Sequence, residues 1–134
     1  MTPETPDPYE FWRERFARGM VRNVAPPDFP KIVCLCGSTR FPGAWEAAAR
    51  RETLAGRIVL SVGMFGHQEG LDMAGPVKAG LDGLHKRKID LADEVLVLNV
   101  GGYVGDSTRS EIAYAKRLGK PVRYLEPPPE SPAE

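Results

Sequence analysis

The stretch EVLVLNVGGYVGDSTRSEIAYAKRLGKPVRYLE, residues 94–126, decides the fold of this chain. It opens with a nearly continuous apolar run, passes through a glycine-rich loop into a helical pattern, and closes with a second, shorter apolar run. Continuous rather than alternating hydrophobicity is typical of strands that are covered on both faces of a parallel sheet. Gly119 is placed to end the helix, and Pro121 opens the final strand. The stretch therefore predicts a strand–helix–strand unit.

The same alternation of apolar runs and helical patterns occurs earlier in the chain. KIVCLC (residues 31–36) and RIVLSV (residues 57–62) are further apolar runs rich in β-branched residues. Helical patterns follow Pro42 and Pro76, each of which suits a first helical position. The residues that give these helices their apolar spacing are Trp45, Ala48 and Ala49 in the first, and Val77, Leu81 and Leu84 in the second. The alternation predicts a parallel sheet with helical crossovers.

The N-terminal part carries an extra helical pattern. Its apolar stripe consists of Tyr9, Trp12, Phe16 and Met20. This stripe either docks on the main domain or contacts a partner subunit, and we expect a homodimer or a higher homo-oligomer. We predict an α/β fold with an open, mostly parallel, doubly wound (Rossmann/flavodoxin-like) sheet and an extra N-terminal helix. Residues 1–30 form the helix and a proline-rich linker, residues 31–126 the α/β domain, and residues 127–134 a tail whose composition is typical of disorder.

Composition excludes several classes of partner. The chain has 134 residues, with 18 lysines plus arginines against 18 aspartates plus glutamates. This balance gives no overall field to attract a nucleic-acid polymer or an anionic membrane. The N-terminus lacks the basic and apolar regions of a signal peptide, and no apolar run approaches the roughly 20 residues that cross a bilayer. We therefore expect a soluble, cytoplasmic protein.

The two cysteines, Cys34 and Cys36, lie two residues apart in the first strand. Their side chains would share one face of the strand, which is a poor geometry for a disulfide. The pair could supply half of a metal site, but the sequence has no second pair of cysteines and both histidines are distant along the chain. We favour ordinary buried thiols. We expect neither a metal nor a cofactor.

Three loops follow the carboxyl ends of the strands, namely GSTRFPG (37–43), GMFGHQEG (63–70) and GGYVGDSTRS (101–110). All three are rich in glycine and in polar or aromatic side chains, whereas the connections at the opposite edge are short and plain. Ligands of doubly wound sheets bind at the carboxyl edge, where the strand order reverses. The candidate substrate-binding residues in these loops are Gly37, Ser38, Thr39, Arg40, His67, Tyr103, Gly105, Asp106, Ser107 and Thr108.

The stretch GSTR, just before a helix, has the features of an anion site. Glycine permits close approach, the helix start offers free N–H groups, and Ser38, Thr39 and Arg40 add donors. The alternative is a plain strand-to-helix turn. The sequence contains neither G-x-G-x-x-G nor a Walker A pattern, so it indicates neither a typical dinucleotide site nor a P-loop.

Glu111 has two interpretations. The tetrad from Thr108 to Glu111 fits a capping box, in which the glutamate bonds a free backbone N–H in the first turn of a helix that starts near Thr108. Alternatively, the chain presents this carboxylate at the mouth of a ligand crevice. The local sequence fits both interpretations.

The combination of CGSTR, ADEVLVLNV, EIAYA and GKP, in this order, resembles the nucleoside 2-deoxyribosyltransferase superfamily, which includes 2′-deoxynucleoside 5′-phosphate N-hydrolases and cytidylate N-hydrolases. The resemblance covers residues 31–126. It implies cleavage or transfer of an N-glycosidic bond without metal or redox cofactor. It also implies that Glu111, from its EIAYA context, is the nucleophile. Gly37, Ser38 and Arg40 would then hold the nucleotide and its 5′-phosphate, and the loop before Glu111 would contact sugar and phosphate.

The chain departs from the family pattern at one position. The family usually has an aspartate seven residues before the alanine of the AD pair, and that aspartate orients the substrate and protonates the leaving base. Counting back from Ala92 leads to His85. Either His85 acts as the acid, as an imidazole can near neutral pH, or the activity has changed. The alternatives to an enzyme are a nucleotide-binding or sensing module without turnover and an interaction protein that uses its N-terminal helix.

Overall fold

The computed structural model describes residues 29–65 and 75–128. The chain divides into two units, Met1–Pro30 and Lys31–Glu134. The predicted N-terminal helix, residues 129–134 of the predicted tail, and His67 lie outside the described residues. None of the helices within the described ranges is long and apolar enough to cross a membrane.

The described elements alternate between strands and helices, as predicted. In chain order they are β1 (Ile32–Gly37), α1 (Pro42–Leu54), β2 (Ile58–Leu60), α2 (Gly75–Leu91), β3 (Glu94–Leu98), a 3-10 turn (Val100–Gly102), α3 (Asp106–Arg117) and β4 (Val122–Tyr124). The strands form a single sheet in the order β2-β1-β3-β4, and every pairing is parallel. The predicted open, parallel, doubly wound α/β fold is confirmed for these residues.

The strand order places a switch point between β1 and β3. From β1 the chain moves outward to β2, then crosses back to β3 on the other side of β1. The helices that follow β1 and β3, namely α1 and α3, pack on opposite faces of the sheet, and a crevice opens above the carboxyl ends of these two strands. The glycine-rich loops that follow these two strands meet at this crevice.

The sheet is covered on both faces, which explains its continuous apolar strands. One face packs against α2 and α3 through Cys34, Cys36, Ile89, Val95, Val97 and Ala115. The other face packs against α1 through Val33, Leu35, Trp45, Ala48, Leu96 and Leu98. All of these side chains are buried, and alternate residues of each strand serve opposite faces. The two cysteines are free, buried thiols, as predicted.

The predicted apolar face of α2 is wrong in part. Val77 and Leu84 are each 56% exposed, whereas His85 and Ile89 are buried. Residues three or four positions apart line up along any face of a helix, so apolar spacing alone does not determine which of two adjacent faces packs against the sheet. Here the helix turns its histidine inward, toward β1.

The predicted start of α3 is also wrong. The helix begins at Asp106, its N-cap is Gly105, and no side chain caps it. The Arg109 N–H donates to the Gly105 carbonyl at 2.9 Å. Glu111 therefore lies in the second turn, where the backbone N–H groups are bonded within the helix, and the capping-box interpretation fails. Its carboxylate is available for another role.

Gly37, at the end of β1, is required by close packing. A Cβ at this position would lie 3.0 Å from the Leu98 Cβ and 3.1 Å from the Leu98 carbonyl oxygen. We expect Gly37→Ala to separate the ends of β1 and β3 and to lower the free energy of unfolding by about 1–3 kcal/mol in a denaturant titration. Gly43→Ala is the matched control, because nothing lies within 4 Å of a Cβ there. Equal stability of the two variants would contradict this packing role.

Candidate functional site

A cavity of about 690 Å³ lies at the predicted crevice. Its volume falls in the range of pockets that bind small molecules. All of the predicted site residues that the structure describes line it: Gly37, Ser38, Thr39, Arg40, His85, Tyr103, Gly105, Asp106, Ser107, Thr108 and Glu111. His67 lies outside the described residues. The structure thus brings the loop after β1, the loop after β3, α2 and the start of α3 to one cavity.

Several lining residues were missed by the sequence analysis. They are Trp45, Val62, Gly63, Met64, Lys78, Leu81, Asp82, Leu84 and Lys88. Helical spacing could have identified two of them. Lys78 lies seven residues before His85 and Asp82 lies three residues before it, so both share its side of α2. The others come together only when α1, α2 and the segment after β2 pack around the crevice.

Glu111 forms part of the cavity wall. Its side chain is only 6% exposed. Burial raises the pKa of this carboxyl from 4.5 to about 7. The charge of His85 and a hydrogen bond from the Cys36 thiol act in the opposite direction, while Cys34 and Asp82 add negative charge and raise the pKa further. At neutral pH the group is balanced between carboxylic acid and carboxylate, as suits a catalytic group.

His85 bonds a backbone carbonyl that the sheet leaves without a strand partner. The Lys31 carbonyl points toward β2, because it accepts from the Ile58 N–H. Carbonyls at alternate residues of a strand point to the same side. The Leu35 carbonyl, four residues further along β1, therefore also points toward β2. The pairing of β1 with β2 ends at Cys34 and Leu60. Nε2 of His85 lies 2.8 Å from the Leu35 oxygen and must donate, because a carbonyl only accepts.

Both thiols lie beside the same ring nitrogen. The Sγ atoms of Cys34 and Cys36 are each 3.6 Å from Nε2 of His85. These three atoms lie within 4.8 Å of one another, a spacing that suits a soft metal ion. A metal ligand must offer a lone pair, however, and Nε2 carries the proton of the hydrogen bond that the Leu35 carbonyl accepts. In this arrangement the imidazole is a donor and not a ligand.

The loop after β1 is held in place by its own bonds. The Ser38 hydroxyl accepts from the Arg40 N–H at 3.2 Å, and the Ser38 carbonyl accepts from the Trp45 indole at 3.0 Å. The Arg40 guanidinium lies 5.5 Å from the centre of the Tyr103 ring. These contacts join the loops after β1 and β3 and place a cation and an aromatic ring at the cavity rim.

Two lysines line the cavity, and the ammonium group of each is bonded to neighbouring protein oxygen atoms. Nζ of Lys78 lies 3.0 Å from Oδ2 of Asp82 and also bonds the Ser107 hydroxyl, linking α2 to α3. Nζ of Lys88 donates to the Ser61 carbonyl at 2.6 Å. These two cations stabilise the walls, whereas the Arg40 side chain is exposed at the rim.

The site thus combines a buried carboxyl of raised pKa, an imidazole, hydroxyl groups and an exposed guanidinium around one cavity. Such a set can bind a polar, anionic small molecule and supply a nucleophile and an acid to it. No protein-family model, no curated protein and no solved structure matches this chain.

Proposed function

We propose that this protein cleaves or transfers the N-glycosidic bond of a (deoxy)nucleoside or nucleoside 5′-monophosphate through a covalent glycosyl-enzyme on Glu111. The observation that carries the proposal is the buried Glu111 carboxyl, with a pKa of about 7, in the wall of a 690 Å³ cavity at the switch point. Burial of a carboxyl costs free energy, and active sites commonly bear that cost. The resemblance to the nucleoside 2-deoxyribosyltransferase superfamily points to the same residue.

The reaction proceeds in two displacements. The Glu111 carboxylate attacks the anomeric carbon, the bond between that carbon and the base nitrogen breaks, and its electron pair leaves with the base. A proton from His85 neutralises the departing base. Water or a second base then attacks the anomeric carbon, gives a proton to Nδ1 of His85, and releases Glu111 as a carboxylate. Both steps use only side chains that line the cavity.

His85 can supply this proton from one nitrogen only. Nε2 donates to the Leu35 carbonyl, so the proton for the base must come from Nδ1. Nδ1 carries a proton together with Nε2 only in the imidazolium form. The pKa of His85 is raised above 6.5 by hydrogen bonding to Cys34 and by the negative charges around it, against the opposing effect of burial. The acid form therefore persists to higher pH than in an unperturbed imidazole.

Arg40 is the candidate phosphate contact, because its guanidinium lies at the rim beside the loop after β1. We expect Arg40→Ala to weaken binding of a 5′-monophosphate by about 1.5–3 kcal/mol through loss of a charge-assisted hydrogen bond, and to change nucleoside binding little. Calorimetric titration of both ligands measures the difference. Arg109→Ala is the control, because its exposed guanidinium pairs with Asp106. Equal losses for nucleoside and nucleotide would exclude phosphate recognition by Arg40.

The proposed function is tested by incubating the protein with a panel of nucleosides and nucleoside 5′-monophosphates and measuring free base by chromatography, with and without an added acceptor base. Base released without an acceptor indicates hydrolysis, and base exchange indicates transfer. No release from any member of the panel would contradict the proposal.

The second candidate is a nucleotide-binding or sensing module without turnover. It is favoured by the bond from His85 to Leu35, which gives this histidine a structural role at the position where the family has an acidic residue. A ligand that binds only the folded state raises the unfolding temperature. A thermal shift with a nucleotide, without release of base, would support this candidate over the enzyme.

A further inference from the structure

The ring of Tyr103 lies at the cavity rim, where the loops that follow β1 and β3 meet. It meets the Phe41 ring in a T-shaped contact, with 6.2 Å between the ring centres. It also packs against Gly105, where a Cβ would lie only 3.3 Å from the tyrosine hydroxyl oxygen. The Tyr103 N–H donates to the Val100 carbonyl at 3.0 Å, which fixes the backbone that carries the ring. The ring is therefore held by both loops, although 42% of the residue remains exposed.

The Arg40 guanidinium lies over this ring, with its central carbon 5.5 Å from the ring centre. Asp82 and Asp106, the two aspartates that line the cavity, each pair with another cation. Within residues 29–65 and 75–128, no carboxylate forms an ion pair with Arg40. The Tyr103 ring is therefore the neighbour that determines where this cation rests, and the charge of the guanidinium stays available to a ligand.

We propose that Tyr103 is a positioning residue for Arg40: its ring holds the guanidinium at the rim, ready to bind a phosphate. A free arginine side chain loses rotamer freedom when it binds an anion, and this loss weakens binding. A guanidinium that already rests on a fixed aromatic ring loses less, because the cation–π contact restricts it beforehand. The inference rests on the proposed function, in which Arg40 contacts the 5′-phosphate of the ligand.

The contacts of Tyr103 assign its ring to the phosphate end of the ligand and not to the base. In the proposed reaction the leaving base lies beside His85, which gives it a proton. The aromatic neighbour of His85 is Trp45, at 6.4 Å between the ring centres. In the part of the chain that the structure describes, the ring of Tyr103 instead contacts Phe41 and Arg40. A ring that stacked on the base would affect nucleosides and nucleotides alike, whereas one that acts through Arg40 affects only phosphorylated ligands.

The contact itself is tested by NMR without any ligand. An aromatic ring shifts the signals of protons that lie over its face, so we expect the δ-methylene protons of Arg40 to resonate upfield of those of the exposed Arg109. Arg40→Ala assigns the signals, since they are absent from its spectrum. The shift should persist in Tyr103→Phe, which keeps the ring, and vanish in Tyr103→Leu. Arg40 signals that are unshifted in the wild type, or unchanged in Tyr103→Leu, would overturn the proposal.

The consequence for binding is tested by calorimetric titration with ribose 5-phosphate and with ribose, which differ only in the phosphate. We expect Tyr103→Leu to weaken binding of ribose 5-phosphate by about two- to five-fold, the effect of an exposed cation–π contact, and to leave ribose binding unchanged. Tyr103→Phe should retain the wild-type affinity. In an Arg40→Ala background, Tyr103→Leu should cause no further loss, because the two side chains act as one unit.

Three results of the titration would overturn the proposal. They are equal affinity of the wild type for the two sugars, an equal loss for both sugars in Tyr103→Leu, and a further loss when Tyr103→Leu is added to Arg40→Ala. None of these measurements involves cleavage of a glycosidic bond. Failure here is therefore distinct from failure to release base, which contradicts the cleavage reaction and leaves the phosphate contact in place.

Discussion

Glu111→Gln is expected to abolish base release and, at the same time, to make the protein more stable at neutral and alkaline pH. Loss of the nucleophile should lower kcat/KM by about 10⁴-fold or more, as removal of a covalent catalyst typically does. The gain in stability arises because the wild type must bury an ionised carboxylate above its pKa of about 7. The neutral amide has nearly the same size and carries no charge.

The stability gain has a defined pH dependence. Below the ordinary pKa of 4.5 the carboxyl is protonated in both the folded and the unfolded state, so the variant and the wild type should be equally stable. Between 4.5 and about 7 the unfolded state ionises while the folded state keeps its proton, so the wild type loses stability as the pH rises. Above this window the variant should be more stable by about 3 kcal/mol.

Denaturant titrations at about pH 4 and about pH 8 measure this difference. Glu46→Gln is the control, because Glu46 is an exposed glutamate of α1 and its substitution should leave both activity and stability close to the wild type. A Glu111→Gln variant that is less stable at high pH, or that still releases base at the wild-type rate, would remove Glu111 from the proposed role.

The raised pKa of Glu111 and the raised pKa of His85 predict a bell-shaped pH profile. Because the nucleophile is the carboxylate, kcat/KM should fall as the pH drops below about 7. Because the acid is the imidazolium, the rate should also fall as the pH rises through the raised pKa of His85. A profile without the acidic limb would contradict nucleophilic attack by Glu111.

His85→Gln is expected to slow release of ordinary bases by about 10²–10⁴-fold, the usual contribution of a general acid. We choose glutamine because its amide nitrogen can reach the position of Nε2 and keep the bond to the Leu35 carbonyl, so the fold should survive. A substrate whose base leaves without protonation should react at close to the wild-type rate. Parallel assays with the two substrate classes make the comparison, and equal slowing of both would exclude the acid role.

The sequence by itself determined the fold and the edge of the sheet at which the cavity lies. Continuous apolar runs such as EVLVL require cover on both faces, and helices between them can return only as crossovers, so the parallel sheet follows from local pattern and chain connectivity. The loops at the carboxyl edge were evident from composition, which is why Arg40, Tyr103 and Ser107 were placed at one site.

Only the tertiary structure decided how the helices turn and where they begin. Periodicity placed Val77 and Leu84 on the apolar face of α2, whereas packing against β1 leaves both of them exposed. His85 bonds the Leu35 carbonyl because the pairing of β1 with β2 ends at Cys34 and Leu60. Likewise, the sequence allowed a capping box at Glu111, and the start of α3 at Asp106 removed it. The burial that sets the pKa of Glu111 depends on contacts between different helices and strands, which local pattern does not encode. The same holds for the contacts of Cys34 and Cys36 with His85, which join residues 51 and 49 positions apart.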